Sequence, residues 1–180
     1  QSRRRKGKLK VNIVSTDRYD KRNLKSYSEE SIVYDKKRYT GVSGEFLFDS
    51  LNEQLNKFID QEDLMLDVAT GTGRVVLSFA NRCKKAIGLD LTPEMLGEAR
   101  RKAEEKGIKN VEFVIGNAKN LPYESNTFST ITCARFLHLF PFEVQNIFIK
   151  EFYRCIKPGG KLIIEYNNPL CNFGIELIRS

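Results

Sequence analysis

The feature that most constrains this chain is the stretch over residues 64–74, which reads LMLDVATGTGR. Its apolar beginning, residues 64–69, predicts a buried parallel strand, and Gly71 and Gly73 predict a turn after it. The apolar-periodic residues 75–80 that follow predict a helix. A glycine turn between a strand and a helix lets a ligand approach the backbone, and free N–H groups at a helix start favour negative charge.

Two acidic residues end predicted strands beside this turn. Asp67 ends the first strand, where its carboxylate suits an ammonium group, so a ligand with a carboxylate and an amine, such as an amino acid, fits here. Asp90 ends the next apolar run, residues 84–90, where an acid is placed to accept hydrogen bonds from ribose hydroxyls. Val76 stands where a dinucleotide fingerprint has its third glycine, and no P-loop sequence follows. We therefore expect a nucleoside that carries an amino acid.

Four stretches in order resemble the motifs of one enzyme family. Residues 67–73 resemble motif I of class I S-adenosylmethionine-dependent methyltransferases, with Ala69 in place of the first glycine. Residues 88–96, 116–123 and 154–160 resemble three later motifs. The resemblance covers roughly residues 30 to 170. Within the family, the chain looks most like the small-molecule subgroup that includes quinone-biosynthesis enzymes.

The resemblance implies methyl transfer from S-adenosyl-L-methionine to a small-molecule acceptor by in-line displacement. It also implies a doubly wound, mostly parallel, Rossmann-like α/β sheet with helices on both faces. Carried over residue by residue, the expected cofactor-binding positions are Tyr34, Arg38, Asp67, Ala69, Gly71, Gly73, Asp90, Leu91, Asn117 and Ala118. Leu91 would pack on an adenine face, and Asn117 and the Ala118 backbone would read the adenine edge. For Tyr34 and Arg38, a surface position at the start of a helix is an equal alternative.

Two residues just past the predicted fourth strand are candidates for the acceptor site. His138 could take a proton from a hydroxyl or an enol-like carbon, since an unperturbed histidine has a pKa of about 6.5. A lone histidine between two leucines is equally typical of a helix residue bonded to backbone. Arg135 could hold an anionic acceptor or face solvent. The single histidine and four cysteines without a CxxC pair predict no metal site.

The N-terminal residues differ in composition from the rest. Residues 1–28 are polar, basic and aperiodic, and predict a flexible arm ahead of one domain over residues 29–180. The formal net charge is +7, and residues 1–10 hold six basic residues and no acid. RNA or other nucleic-acid methylation through the arm is therefore an alternative. We do not favour it, because the fourth strand lacks the Asn/Asp-Pro-Pro-Tyr sequence of amino-group DNA enzymes. A non-catalytic cofactor-binding partner subunit is the second alternative.

The cysteine pattern and the absence of a signal-like segment predict a cytoplasmic protein, and no apolar run approaches the length of a membrane span. Five strands are predicted, at residues 64–69, 84–90, 111–115, 128–133 and 161–166. The family fold has two more strands, so the chain is expected to be C-terminally incomplete. The apolar fifth strand would then need cover from a homodimer or from residues 170–180, whose spacing leaves strand and helix open.

Overall fold

The computed structural model describes residues 25–39, 42–166 and 174–179, and only the backbone of residues 38, 39, 42–47, 166 and 174–179. The helices are α1 (Tyr34–Tyr39), α2 (Val42–Leu55), α3 (Arg74–Phe79), α4 (Pro93–Glu105) and α5 (Phe142–Cys155). Residues 25–30 are also helical, and 3₁₀ turns cover Ala80–Arg82 and Leu137–Leu139. The strands are β1 (Leu64–Val68), β2 (Lys85–Asp90), β3 (Val111–Ile115), β4 (Phe128–Ala134), β5 (Ile156–Tyr166) and β6 (Gly174–Arg179).

The strands form one sheet in the order β3-β2-β1-β4-β5-β6. The first five are parallel, and β6 runs antiparallel to β5. The chain moves outward from β1 to β3 and then returns to the other side of β1 with β4. Such a reversal leaves a crevice at the carboxyl ends of the two central strands. The predicted doubly wound α/β fold is confirmed.

Each face of the sheet is covered by its own apolar cluster. Leu66 and Val68 of β1 belong to the cluster that contains Phe148 and Phe152 of α5. Met65, directly before Leu66 in sequence, belongs to the other cluster, with residues of α2 and α3. Successive side chains of a strand point to opposite faces, so an uninterrupted apolar strand is buried on both sides.

The strand β6 covers the outer edge of β5. Its backbone pairs with β5 over six residue pairs, from Lys161↔Arg179 to Tyr166↔Gly174. The expectation that residues 170–180 pack across this edge is therefore confirmed, in the strand form that the sequence left open. Homodimerisation stays a prediction.

The structured N-terminal region crosses the boundary that the sequence predicted at residue 28. Helical residues 25–30 lead through a turn at 31–33 into α1. Residues 1–24, which contain most of the predicted arm, lie outside the described residues.

Gly88, in the middle of β2, allows the turn after β1 to pack closely on the sheet. A Cβ atom at Gly88 would lie 2.9 Å from Thr70 Cγ2 and 3.1 Å from Phe113 Cδ1. We expect Gly88→Ala to lower the free energy of unfolding by about 1–3 kcal/mol, since overpacking forces neighbours to shift. Denaturant unfolding, followed by circular dichroism, measures this change.

Gly97 provides the matched control, because it is an exposed residue of α4 with open space around its Cβ position. Gly97→Ala should raise stability by up to about 1 kcal/mol through helix propensity. Equal stability changes in the two variants would contradict the close-approach role of Gly88.

Candidate functional site

A cleft opens at the carboxyl edge of the parallel strands. It encloses about 1300 Å³ of space between atoms, including its open mouth. The turn after β1, the ends of β2, β4 and β5, and the N-terminal helical residues contribute to its lining. This is the position that the reversal of strand order predicts for a ligand.

The cleft contains the buried carboxylate of Asp67, which is 2% exposed. Thr70 Oγ1 donates to its Oδ2 over 2.6 Å, and Thr132 Oγ1 of β4 donates to its Oδ1 over 2.7 Å. Burial nevertheless raises the pKa of Asp67 to about 6. Among the described residues no cation pairs with Asp67, so a ligand ammonium would supply the missing counter-charge.

Asp90, at the end of β2, fixes the turn from the neighbouring strand. The Gly71 N–H donates to Asp90 Oδ2 over 2.8 Å, and the Thr92 N–H donates to Oδ1 over 2.9 Å. Burial raises the pKa of Asp90, and these backbone bonds partly offset that rise. Each carboxylate oxygen has a second lone pair, so Asp90 can hold the turn and still accept from a ligand hydroxyl.

Every second residue of the turn has a left-handed backbone, with φ of 57° at Ala69, 54° at Gly71 and 79° at Gly73. Ala69 and Gly71 line the cleft. Gly73 does not, although the resemblance placed it at the cofactor. A Cβ at Gly73 would lie 3.0 Å from Ala99 Cβ, so this glycine lets the turn pack against α4.

The far side of the turn presents the predicted adenine-binding residues. Leu91, Asn117 and Ala118 all line the cleft, together with Gly116. The Asn117 side chain accepts a hydrogen bond from the Lys119 N–H over 2.9 Å and so stabilises its own turn. The contacts of Leu91, Asn117 and the Ala118 backbone with adenine stay predictions.

The N-terminal helical residues cover one side of the cleft. Tyr34 of α1 lines it, as does Tyr27, whose ring lies 5.9 Å from that of Tyr34 in an edge-on contact. The sequence assigned Tyr27 to the flexible arm and so missed it. The side chain of Arg38, the other predicted residue here, lies outside the described residues.

A polar latch fastens α1 to the turn; it consists of Asp35, Thr72 and Lys102. Thr72 Oγ1 donates to Asp35 Oδ1 over 2.7 Å, and Lys102 Nζ of α4 forms an ion pair with Asp35 Oδ2. Lys102 Nζ also donates to the Thr72 carbonyl over 3.2 Å. The latch residues join three separate elements, and no local sequence pattern marks them.

The remaining wall follows β4 and β5. Arg135 lines the cleft, as predicted, and Glu165 at the end of β5 lines it too, although the sequence analysis had not singled it out. Three phenylalanine rings complete this wall: Phe136, Phe140 and Phe148, with ring centroids 4.8 to 5.0 Å apart.

The structure does not bring His138 into the cleft. It is an exposed residue of the 3₁₀ turn Leu137–Leu139, and the cleft is lined by Leu139 and Phe140 beside it. A general base must lie within hydrogen-bond reach of the proton that it abstracts. The structure places Leu139 and Phe140, and not His138, in the cleft lining, and the role of His138 as a general base stays a prediction.

The described residues contain neither a membrane-spanning helix nor a cluster of metal ligands. No helix there is long and apolar enough to cross a membrane. That region likewise shows no group of three or more histidine, cysteine, aspartate or glutamate residues arranged to hold a metal ion.

Comparison with known proteins gives consistent matches. The profile of a family described as "Methyltransferase domain" matches residues 65–160, more than half of the chain. A demethylmenaquinone methyltransferase of Oceanobacillus iheyensis is 38% identical over 108 residues, 58% of this chain and 44% of that protein. A ubiquinone/menaquinone biosynthesis C-methyltransferase of Rhizobium rhizogenes is 37% identical over 125 residues, 64% of this chain and 46% of that protein. The chain thus spans less than half the length of these curated relatives.

Solved structures agree. The crystal structure of a putative methyltransferase from Bacillus halodurans superposes with a TM-score of 0.59 at 35% identity. The match covers 64% of this chain and 49% of that one.

The raised pKa of Asp67 predicts opposite effects on stability and on ligand binding. The folded state holds the Asp67 proton more tightly than the unfolded chain, so stability falls as pH rises from about 4 to about 6. We expect Asp67→Asn to raise the free energy of unfolding at pH 7 by on the order of 1–3 kcal/mol. The same change should weaken binding of an amino-acid ligand, measured by calorimetry.

Asp63, at the other end of β1, is the control for Asp67. Burial raises its pKa, but hydrogen bonds from the Asp60 N–H, Ser129 and Lys161 outweigh burial and lower it overall. Its ionised form therefore stabilises the fold, and this stabilisation is lost as pH falls through the lowered pKa. Asp63→Asn should destabilise the protein at pH 7, and a destabilised Asp67→Asn would contradict our interpretation.

The latch predicts a second, conformational effect. Asp35→Asn removes the ion pair with Lys102, which is only 18% exposed, so α1 and Tyr34 are held less firmly over the cleft. We expect S-adenosylhomocysteine to bind about fivefold more weakly, chiefly through faster dissociation, measured by stopped-flow or surface plasmon resonance. Lys37→Gln, also on α1, breaks the exposed pair with Glu30, which precedes the turn before α1, and should change nothing measurable.

Proposed function

We propose that this chain, which belongs to the methyltransferase-domain family, binds S-adenosyl-L-methionine in the cleft and transfers its methyl group to a small-molecule acceptor. The observation that carries this proposal is the pair of carboxylates, Asp67 and Asp90, on neighbouring parallel strands beside one glycine turn. A ligand that satisfies both must carry a cation and hydroxyl groups at a fixed separation.

The amino-acid end of the cofactor supplies the cation. Asp67 is buried, accepts hydroxyl donors and has no charged partner among the residues that the structure describes, so the cofactor's ammonium group would complete its environment. The backbone of Ala69 and Gly71 would lie along the same end. Cofactor binding should therefore weaken as pH falls below about 6, because a proton on Asp67 competes with the ammonium.

The nucleoside end fits the rest of this half of the cleft. Asp90 retains acceptor capacity for the ribose hydroxyls, and Leu91 offers an apolar contact for the base. The backbone at 116–118 closes the site beyond it. This fit supports a nucleoside that carries an amino acid over a dinucleotide.

Methyl transfer from a sulfonium depends mainly on the alignment of the acceptor atom with the bond from sulfur to the methyl carbon. The bond from sulfur to the methyl carbon breaks as the acceptor atom attacks in line, and sulfur leaves as a neutral thioether. Holding two reactants in line supplies much of the rate acceleration without a strong base.

The acceptor would bind on the wall that follows β4 and β5. Three phenylalanine rings favour an apolar compound there, and Arg135 and Glu165 add one charge of each sign. Relatives named for quinone C-methylation support an acceptor of this general class.

The basic arm, on which the nucleic-acid alternative depends, lies largely outside the described residues. A cytoplasmic location stays a proposal from the cysteine pattern.

Calorimetry with three ligands tests the proposed function. S-adenosylmethionine and its demethylated product should both bind, and NADH should not, because the turn lacks the third glycine of a dinucleotide site. Radiolabelled methyl transfer to a panel of small aromatic acceptors then tests catalysis. Binding of NADH in place of S-adenosylmethionine would overturn the assignment.

A second measurement isolates the role of Asp90. Wild-type protein should bind S-adenosylhomocysteine about tenfold or more tightly than it binds the analogue that lacks the ribose hydroxyls. This difference in affinity is the one expected from the loss of a hydrogen bond to a charged group. Asp90→Asn should lose most of this preference, and Asp67→Asn should keep it. If Asp90→Asn weakens both ligands equally, Asp90 acts only by holding the turn.

A further inference from the structure

The carboxyl end of β5 carries a buried carboxylate that is not among the residues proposed to bind the cofactor. Glu165 lines the cleft and is only 9% exposed. Its Oε2 atom has no hydrogen-bond partner in the described part of the chain. A buried acceptor without a donor costs free energy, so this position needs a compensating role.

The surroundings of Glu165 leave its charge only partly balanced. It pairs in register with Ala134, the last residue of β4, and Arg135 follows directly. Burial raises the pKa of Glu165, and the positive charge of Arg135 offsets part of that rise. Arg135 has a left-handed backbone with φ of 54°, a conformation that non-glycine residues rarely adopt. The Arg135 guanidinium thus lowers part of the free-energy cost of burying the Glu165 charge. A hydrogen-bond donor to Glu165 would lower it further.

The same wall offers an apolar surface. Phe136 and Phe140 flank the 3₁₀ turn after β4, and Phe148 on α5 packs against both rings at 5.0 and 4.9 Å between centroids. All three line the cleft. An apolar surface with a few fixed polar groups is typical of a small-molecule site, in which the polar groups set orientation.

We propose that Glu165 selects the acceptor: its carboxylate accepts a hydrogen bond from a hydroxyl or amine on an apolar ring that packs against these phenylalanines. The inference rests on the proposed function, which assigns the Asp67 and Asp90 half of the cleft to the cofactor. An ionised carboxylate only accepts hydrogen bonds. A ring whose polar group cannot donate would leave Oε2 unpaired, and sites built for a donor reject such analogues strongly.

The test uses two probes that differ by one methyl group on the oxygen, 1-naphthol and 1-methoxynaphthalene, of which only the first donates a hydrogen bond. Each is titrated by calorimetry into the whole chain saturated with S-adenosylhomocysteine. We expect 1-naphthol to bind about tenfold or more tightly. Glu165→Gln, which keeps a neutral acceptor, should reduce this preference, and Glu165→Leu, which keeps the volume but no acceptor, should abolish it.

Stability separates this role from a structural one. Removing the charge of an acid whose pKa is raised by burial should leave the free energy of unfolding unchanged or higher, so Glu165→Gln should bind 1-naphthol less well without being destabilised. If Glu165 served only as the structural counter-ion of Arg135, Glu165→Gln would destabilise the protein.

Tyr123→Phe is the matched control. The Tyr123 hydroxyl is also buried without a partner in the described region, but Tyr123 does not line the cleft. Its loss should leave the preference for 1-naphthol intact.

The outcomes are separable. Failure of the wild-type chain to bind S-adenosylhomocysteine would overturn the proposed function itself. Normal binding of that ligand, combined with equal affinity for the two probes, would overturn the role of Glu165 alone. A preference for 1-naphthol that persists in Glu165→Leu, or a destabilised Glu165→Gln, would do the same.

Discussion

The site depends on one buried carboxylate at the end of the central strand. Asp67 receives hydroxyl donors from Thr70 in its own turn and from Thr132 on β4. The bond from Thr132 joins β1 to β4, the two parallel neighbours at which the strand order reverses and the crevice opens. The ion is held by neutral donors in a buried position, so its charge is oriented but not neutralised. A fold with a hydrophobic residue at this position would be more stable and would have no use for a cationic ligand.

The sequence predicted the sheet because its strands carry strong local signals. Residues such as Leu66 and Ile87 lie in short apolar runs that end in a polar residue, and parallel strands buried on both faces require such runs. The same rule located Asp67 and Asp90 at strand ends. Glu165 follows the apolar run Leu162–Ile164 in the same way, so the signal for it was present and was not used.

Contacts between distant elements could not be predicted in this way. Asp35 meets Thr72 and Lys102 across 37 and 67 residues of sequence, and each belongs to a different element. Tyr27 lies in a segment whose polar composition matches that of a flexible arm, yet its helix lines the cleft. His138 shows the opposite case, because a position after β4 does not determine which side of the 3₁₀ turn faces the cleft, and His138 is exposed there while Leu139 and Phe140 line the cleft. Tertiary packing decides each of these cases.

Backbone strain marks both strands at the crevice. Ala69 directly follows β1, Arg135 directly follows β4, and both have left-handed backbones without being glycine. The conformation costs such residues about 1–2 kcal/mol each, so the surrounding structure must enforce it. At these two points the chain leaves the sheet on either side of the reversal, and each strained residue lines the cleft. Strained backbone and buried carboxylates thus occur together at the carboxyl edge of the sheet, where the cleft opens.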